Sequence, residues 1–404
     1  MDKINVIKRN TCRICKNEKL RKWLTLKQMP LTDNMDINKI GNEVLYDINI
    51  NVCENCLVSQ TSLDIACNEY YNDYNYSVNS SETANRFMHK LCDKLWENYN
   101  LTSQSKILEI GSSDGSQLNY FKIKGAKVLG VEPSLELCNI SRSRGVSVCH
   151  GLFDNSAAES ILKEFNKVDL VILEYTFDHL PDPMDALNII SKILNDDGLI
   201  VLEVHNLDLI LKRKEYCLFE HEHTVYLSEE TIKVILENVG FEVVDFNLLK
   251  ENEKRANSLL VVAKLKNKKN EVIKSRKKIT KNFNEYEKFS EDLSLSLNKI
   301  DRFISDNVNR GKKIAGFGAG GRGVMTLAAI PNGNKLLFIC DNNTMMQGLY
   351  TPKTHIQIVD PCYLKENQVD ILIVFSFGYI DEIKKQIETI INKDTEIVNF
   401  LDLL

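Results

Sequence analysis

The sequence lacks any hydrophobic run long enough to cross a membrane, because no apolar segment approaches the ~18 residues that a spanning helix needs. Its first residues, MDKINVIKRN, also lack the apolar core of a secretory signal. An excess of basic charge is absent as well, since 51 basic and 56 acidic residues give a net charge of −5, which does not favour nucleic acid. We therefore expect a cytoplasmic protein that binds a small molecule, without a membrane or nucleic-acid partner.

A single compact core is excluded by length. At roughly 100–200 residues per domain, a chain of 404 residues holds two or three domains, and its content of 43% hydrophobic and 26% charged residues is ordinary for a globular protein. Changes of pattern divide the chain into a small cysteine-bearing module at 1–68, an α/β domain at 69–266, a helical linker at 267–308 and a second, Rossmann-like α/β domain at 309–404.

The eleven cysteines cannot all pair, and seven of them are scattered singly through the chain. The other four form two CxxC pairs, Cys12 with Cys15 and Cys53 with Cys56. In a reducing compartment such spacing favours a metal over disulfides. Four thiolates complete a tetrahedral zinc ion and leave no position for water, so we expect structural Zn²⁺. Two unrelated pairs of free thiols are the alternative.

Short apolar strands alternate with helical segments from Ser105 to about Lys266. The strands read KILEI, KVLGVE, VDLVILE, GLIVLEV, FEVVDF and SLLVVAKL, and the last two are close enough in sequence to pair antiparallel. An amphipathic helix at Glu82–Asn98 leads into this region. Such alternation is typical of a mostly parallel sheet with helices on both faces. A second unit of this kind begins at Lys312 with KIAGFGAGGRG.

A methyl-donor site is predicted in the segment KILEIGSSDGSQLNYF, where a strand delivers an acid and a tight glycine turn precedes a helix. One strand later Glu132 stands at a strand end, where a carboxylate can accept both ribose hydroxyls of an adenosyl group. The turn is not the GxGxxG form, and Asp114 would repel a pyrophosphate but suit the cationic end of S-adenosylmethionine. An ordinary glycine turn is the alternative. The predicted cofactor-binding residues are Glu109, Gly111, Ser113, Asp114, Gly115, Glu132 and Leu173.

A histidine cluster lies in LFEHEHTVYLS, which contains the three catalytic candidates, His221, Glu222 and His223, in a chain with seven histidines. Imidazole titrates near neutral pH, and a carboxylate can orient it and stabilise its protonated form. Carbon methylation needs such a base, because a carbon next to a ketone must lose a proton before it attacks a methyl group. A second metal site or a plain polar network is the alternative, and no HExxH spacing is present.

Together these motifs resemble those of the sugar C-methyltransferases that act on nucleotide-linked 4-keto deoxysugars. The similarity spans nearly the whole chain, through CRIC and CENC, EIGSSDGS with GVEPS, HEH before YLS, and then GFGAGGRG, CDNN, QGLYTPKTHIQI and DP. The resemblance implies a zinc module, a class I methyltransferase domain that binds S-adenosylmethionine, and a second Rossmann-like domain for a nucleotide-linked sugar.

The resemblance also implies roles for individual residues. His223 would remove the proton beside the ketone with support from Glu222, and Tyr76 and His179 would lie beside the acceptor. Taken alone, His179 could equally be a packing residue at a helix start.

In the carboxy-terminal domain the resemblance places three residues at the nucleotide-sugar. Gly318 and Ala319 would approach the ligand closely, and Arg322 is a candidate for its pyrophosphate. The same GFGAGGRG segment could instead serve close helix–strand packing.

Three departures from the family pattern flank the expected acceptor pocket. Glu220 replaces a common Tyr, Tyr175 replaces a frequent Asn at the carboxyl end of a strand, and Ala256-Asn257 replaces Gly-Gly before Ser258. We therefore expect a C-methyltransferase of a nucleotide-linked keto sugar, with Tyr175 and Glu220 at the substrate. Methylation of oxygen or nitrogen is the alternative enzyme, and a non-catalytic zinc ribbon that binds RNA or protein is the alternative from another class.

Overall fold

The computed structural model describes residues 6–31, 35, 41, 43–65, 82–266 and 283–404. It divides the chain into two compact units, and each is described by itself. The described residues of the first unit fall within Met1–Arg21, Val52–Leu207 and Glu222–Lys281. Those of the second fall within Lys22–Asn51, Asp208–His221 and Asn282–Leu404. Residues of the segment predicted as one module, 1–68, therefore occur in both units.

The amino-terminal region forms short antiparallel pairs. Its strands are β1 (Val6–Lys8), β2 (Leu20–Pro30), β3 (Leu45–Cys53), β4 (Ser59–Thr61) and β5 (Leu63–Ile65). Strand β1 pairs with β5. In the second unit, the side chains of Thr25 on β2 and Asn49 on β3 share a hydrogen bond of 2.8 Å.

The first unit is built on a seven-stranded sheet that fulfils the predicted alternation. Its strands are β6 (Lys106–Ile110), β7 (Lys127–Glu132), β8 (Ser147–His150), β9 (Val168–Glu174), β10 (Leu194–His205), β12 (Phe241–Asp245) and β13 (Ser258–Leu265). Strand β11 (Val225–Tyr226) is not part of this sheet and pairs antiparallel with β4. The order is β12-β13-β10-β9-β6-β7-β8. Strands β6 to β10 run parallel, and β12 pairs antiparallel with β13, as expected from their closeness in sequence.

Helices cover both faces of this sheet. They are α1 (Glu82–Asn98), α2 (Ser116–Ile123), α3 (Leu135–Ser143), α4 (Asn155–Phe165), α5 (Pro183–Ile193) and α7 (Glu229–Val239). Helix α6 (Leu207–Arg213) belongs, after Leu207, to the second unit. Alternate residues of β9 enter two separate cores, Val171 one and Leu170 the other, because side chains of a strand alternate between faces. Local signals fix the helix ends: Ser228 and Thr231 form a capping box on α7, and Gly240 closes it with φ of 96°.

The second unit carries a five-stranded parallel sheet. Its strands are β14 (Ile314–Phe317), β15 (Ile339–Cys340), β16 (Ile358–Val359), β17 (Ile371–Val374) and β18 (Glu396–Asn399), in the order β16-β15-β14-β17-β18. Its helices are α8 (Asn284–Asn309), α9 (Gly321–Ala328) and α10 (Ile380–Ile387). Trp23 explains why part of the amino-terminal segment belongs here, because its ring packs on Phe219, Tyr286 and Phe289.

Single turns of 3₁₀ helix connect several of these elements. They span Phe177–His179, Tyr216–Leu218, Glu251–Glu253, Gly333–Lys335, Pro361–Lys365, Phe377–Tyr379 and Phe400–Leu403. Among the helices of the described ranges, none combines the length and the apolar character that a membrane crossing would require. The two Rossmann-like sheets confirm the α/β fold class.

Candidate functional site

The predicted donor turn joins β6 to α2 with a backbone that favours glycine. Gly111 has φ of 74° and Gly115 has φ of 73°, both in the left-handed region. A Cβ at residue 111 would lie 3.0 Å from Cγ2 of Thr176, so a larger side chain would clash. The turn therefore brings its backbone close to the carboxyl end of β9.

Glu132 holds this turn from the end of β7. Its Oε2 accepts a hydrogen bond of 2.9 Å from the Ser113 N–H, and its Oε1 accepts one of 2.9 Å from the Ser134 N–H. Burial raises the pKa of Glu132, and the two N–H groups oppose that shift. Each oxygen keeps a second lone pair, so the carboxylate can still accept hydroxyl donors from a ribose.

Buried polar atoms near this turn fit a bound donor. Among the residues the structure describes, Glu109 Oε2, Ser112 Oγ and Gln117 Oε1 have no hydrogen-bond partner. Burial and the neighbouring charge of Glu174 raise the pKa of Glu109 well above its usual range. Such atoms are rarely left unsatisfied, and the ammonium and hydroxyl groups of S-adenosylmethionine would supply the missing donors.

Glu174, at the end of β9, belongs to a buried ionic group that the sequence did not reveal. Its Oε1 accepts a 2.6 Å hydrogen bond from Gln117, and its Oε2 accepts one of 2.6 Å from Arg255, which also binds Glu203. Burial raises the pKa of Glu174 to about 7, against the lowering effect of Arg255. The guanidinium lies 4.7 Å from the ring centroid of Tyr175.

Asp114 has a partner within the protein. Its Oδ2 lies 2.9 Å from Nη1 of Arg144, and that same nitrogen donates to the Asp114 carbonyl at 2.6 Å. Its Oδ1 accepts from the Ser116 N–H at the start of α2. The structure thus gives Asp114 a role in fixing the helix start, and its predicted contact with the donor stays a prediction.

Three histidines gather at the carboxyl ends of β9 and β10. The ring centroid of His223 lies 4.9 Å from that of His179 and 4.3 Å from that of His205. The His205 ring in turn lies 4.5 Å from that of Tyr175. Ligands of parallel sheets bind at this edge, so the cluster occupies the expected acceptor position.

Backbone contacts hold His223 in this cluster. The next residue, Thr224, donates from its N–H to the Asp178 carbonyl at 2.7 Å, and its hydroxyl donates to the Leu180 carbonyl at 2.7 Å. The Glu222 carboxylate lies within 4.8 Å of a His223 ring nitrogen and 3.9 Å from Nδ1 of His179. Burial lowers the pKa of His179 to about 3, so this ring stays neutral at physiological pH.

His221, the first histidine of HEH, has separate surroundings within the second unit. Its Nε2 lies 3.1 Å from the Met29 carbonyl, and its ring meets that of Tyr46 edge-on at 6.1 Å. Burial lowers the pKa of His221 to about 4. These contacts give it a packing role, and catalysis by His221 stays a prediction without a supporting contact.

Tyr175 adopts φ of 46°, a left-handed value that is uncommon for a bulky residue and easier for Asn. Its N–H donates to the Glu203 carbonyl at 2.7 Å, and its hydroxyl donates to the Ala256 carbonyl at 3.3 Å. The ring is therefore fixed beside His205. Leu173, two residues earlier, is fully buried in the core, and Tyr76 lies outside the described residues.

In the second unit, the glycine-rich segment serves close packing. Gly318 has φ of 98°, and a Cβ there would lie 3.1 Å from Cβ of Ser376. The Ala319 N–H donates to Asp341 Oδ2 at 2.7 Å. Arg322 stacks on Phe377, with 4.9 Å between the guanidinium carbon and the ring centroid. The packing interpretation of Gly318 and Ala319 is thus the one with visible contacts.

The four cysteines of the CxxC pairs come together in the first unit, with all four Sγ atoms within 4.8 Å of one another. Cys12 to Cys56 and Cys15 to Cys53 are each 3.5 Å apart, close to the edge of about 3.8 Å for a tetrahedron of zinc thiolates. Lys16 and Leu57 have positive φ and donate their N–H groups to the carbonyls of Cys12 and Cys53. Two matching turns thus fit one zinc ion.

Sequence reasoning missed several residues of the site. The sequence did contain a signal for Glu174 and His205. They lie at the carboxyl ends of two predicted parallel strands, where ligands bind. Asp178 and Arg255 gave no such signal, since each acts through a partner distant in sequence. The missed residues are Gln117, Glu174, Asp178, Glu203, His205 and Arg255.

Comparison with known families matches three consecutive parts of the chain. Residues 12–71 match the family described as "Putative zinc binding domain". Residues 81–245 match "Methyltransferase domain", and residues 255–401 match "C-methyltransferase C-terminal domain".

A relative that spans most of the chain agrees with these matches. The C-methyltransferase NovU of Streptomyces niveus is 27% identical over 383 residues, which cover 92% of this chain and 90% of that protein. An uncharacterized methyltransferase of Oceanobacillus iheyensis is 24% identical over 173 residues, covering 37% of this chain and 79% of that protein. The solved plantazolicin methyltransferase BpumL in complex with SAH is 14% identical with a TM-score of 0.37, covering 46% of this chain and 88% of its own.

Proposed function

We propose that this chain is an S-adenosylmethionine-dependent C-methyltransferase with an amino-terminal zinc-binding domain, and that it methylates the carbon beside the ketone of a nucleotide-linked deoxysugar. His223 is the base in this proposal. The observation that carries it is the position of the His223 ring, 4.3 Å from that of His205 at the sheet edge where the donor turn also opens. A buried imidazole there suits removal of a carbon-bound proton.

The chemistry follows from the need to make carbon nucleophilic. The carbon proton passes to a ring nitrogen of His223, and the electron pair left behind forms the new carbon–carbon bond. S-adenosylmethionine supplies the methyl group, whose bond to sulfur breaks as the new bond forms. The Glu222 carboxylate, within 4.8 Å of His223, stabilises the protonated ring. His223 then releases its proton to solvent.

The residues proposed to hold the donor are those of the turn and the neighbouring strand ends. Glu132 accepts the ribose hydroxyls in this proposal, and the turn backbone between Gly111 and Gly115 lies against the donor. Glu109 and Gln117 present atoms that lack a partner among the described residues, which supports hydrogen bonds to the amino-acid end of the donor. The side chains of Glu109, Gln117 and Glu132 are all buried, which favours strong hydrogen bonds to the donor.

The nucleotide-linked sugar is proposed from the sequence resemblance together with the match to a C-methyltransferase carboxy-terminal domain. Tyr175 and His179 are the proposed acceptor residues of the first unit, and Tyr76 is kept from the resemblance alone. In the second unit Arg322 is the proposed pyrophosphate ligand, because a guanidinium stacked on Phe377 is held in place for a bidentate contact.

Hydrogen exchange and methyl transfer test this function together. Purified protein is incubated in D₂O with labelled S-adenosylmethionine and a panel of nucleotide-linked 4-keto deoxysugars. We expect deuterium at the carbon beside the ketone in sugar that has not been methylated, and the labelled methyl group at that same carbon in the product. His223→Asn should lose about 100-fold or more of both rates with unchanged donor affinity, whereas His89→Asn, an exposed control on α1, should lose neither.

The contrary results are equally clear. No methylation of any sugar in the panel, with nothing lost in His223→Asn, would refute the proposal. Methyl transfer without deuterium exchange would instead indicate an oxygen or nitrogen acceptor. The Glu220 carboxylate, which could bind an amino group, is one motive for that alternative.

A further inference from the structure

Asp178 and His205 form a buried hydrogen-bonded pair beside the proposed base His223. The Asp178 Oδ2 lies 2.8 Å from Nδ1 of His205 and 3.1 Å from the His205 backbone N–H. Asp178 is only 1% exposed and His205 only 9%. Two hydrogen bonds to one carboxylate oxygen fix both the position of the ring and the nitrogen that carries a proton.

From this pair we infer that His205, held by Asp178, is a second catalytic residue, which donates a hydrogen bond from Nε2 to the ketone oxygen as that oxygen gains negative charge. The inference rests on the proposed function, because it concerns the same acceptor. It assigns His223 and His205 different tasks: His223 takes the carbon proton, and His205 stabilises the charge that the proton leaves behind.

The surroundings of His205 support this task. Its ring lies between that of His223, at 4.3 Å, and that of Tyr175, at 4.5 Å, so it forms part of the same cluster as the base. Three titratable side chains, Asp178, Tyr175 and His223, contact this ring. Since Nδ1 is engaged by Asp178, the hydrogen bond proposed to the ketone oxygen comes from Nε2.

A hydrogen bond donated from Nε2 needs the form of His205 that carries a proton on both ring nitrogens. The negative charge of Asp178 stabilises that form in a buried position, because it offsets the positive charge of the ring. His179 is less suited, since burial keeps its ring neutral and its pKa near 3. In this step one carbon–hydrogen bond breaks and its proton goes to His223. The negative charge moves to the ketone oxygen, which accepts a hydrogen bond from the His205 N–H. When the methyl group is transferred, the ketone forms again and the hydrogen bond weakens.

The pair also connects to the base through the backbone. The Asp178 carbonyl accepts the N–H of Thr224, the residue next to His223, at 2.7 Å. A purely structural role for the pair is therefore the competing explanation, and the experiment must separate the two.

Two variants, His205→Gln and Asp178→Asn, are compared with the wild type and with the exposed control His89→Gln. Deuterium exchange and methyl transfer are measured on the same sugar panel, together with the donor Kd and the unfolding temperature. We expect His205→Gln to slow exchange and methylation by the same factor, about 100-fold or more. Asp178→Asn should slow both about 10-fold or more, while the donor Kd and unfolding temperature of both variants stay near wild type.

Three other results would contradict the role proposed for His205. Variants that exchange and methylate at the wild-type rate overturn it while leaving the proposed function intact. Slower rates accompanied by matching losses of donor affinity and thermal stability assign the pair a structural role instead. A wild-type enzyme that acts on no sugar of the panel refutes the proposed function, and the inference falls with it.

Discussion

The carboxylate of Glu220 lies directly against the α-carbon of Gly321, the first residue of α9. A Cβ at residue 321 would be 2.8 Å from Cδ of Glu220. A negative charge at a helix amino terminus interacts favourably with the helix dipole. The position that the resemblance reserved for a pyrophosphate thus already has an anionic neighbour within the protein.

Gly321→Ala should therefore destabilise the protein. The added methyl group displaces the Glu220 carboxylate, and we expect the free energy of unfolding to fall by about 1–3 kcal/mol, as measured by urea denaturation. Gly320→Ala is the matched control, because a Cβ there meets no atom within 4 Å. Combining Gly321→Ala with Glu220→Ala should recover part of the loss, and strictly additive losses would contradict the contact.

Glu132→Gln should weaken binding of S-adenosylmethionine. The amide keeps the size of the side chain, but its nitrogen cannot accept a hydrogen bond, so one contact to Ser113 or Ser134 and one to the ribose are lost. We expect the donor Kd measured by calorimetry to rise about 10- to 100-fold. Glu136→Gln, an exposed change on α3, should leave the Kd unaltered, and an unaltered Kd in both variants would remove Glu132 from the donor site.

One zinc ion per chain should be found by elemental analysis of the purified protein. Cys15→Ser should abolish that zinc and lower the unfolding temperature by about 5 °C or more, because the metal stabilises the region that its ligands bring together. Cys362→Ser is the control, since this exposed thiol lies outside the cluster. Full zinc content in Cys15→Ser would show that the four cysteines do not share one ion.

Acid should destabilise the protein through its buried histidines. The pKa is lowered by burial to about 3 for His179 and to about 4 for His221, from an ordinary 6.5. The folded chain therefore keeps both rings neutral where the unfolded chain protonates them. This stability is fully present above pH 6.5 and is lost as the pH falls from 6.5 towards 4 and 3.

Between pH 6.5 and 5 the loss should be about 2 kcal/mol per histidine. Urea denaturation at the two pH values measures this loss of unfolding free energy. His179→Gln and His221→Gln should each reduce the dependence of the unfolding free energy on pH, and the exposed His89→Gln should leave it unchanged. The same pH dependence of the unfolding free energy in the wild type and all three variants would show that these two rings do not cause the effect.

Much of the donor side could be predicted because its residues are close in sequence. The segment from Glu109 to Gly115 forms one turn, and Glu132 lies at the next strand end, so local pattern and sheet topology together indicate the site. The antiparallel pairing of β12 with β13 followed from a short connection in the same way.

The acceptor side was less predictable because its contacts join distant segments. Asp178 and His205 are 27 positions apart, and nothing in the sequence pairs them. The division of the amino-terminal segment between two units was also hidden, because it depends on the packing of Trp23 against Phe219, Tyr286 and Phe289.

The sequence by itself determined the α/β class, the two CxxC pairs and the glycine turn after β6, since each depends on spacing or periodicity within a short stretch. Only the tertiary structure decided which member of HEH joins the other histidines. Thr224 bonds to the carbonyls of Asp178 and Leu180, which bends the chain so that His223 meets His179 and His205, while His221 binds the Met29 carbonyl. Hydrogen bonds between distant segments set that bend, and no local pattern encodes them.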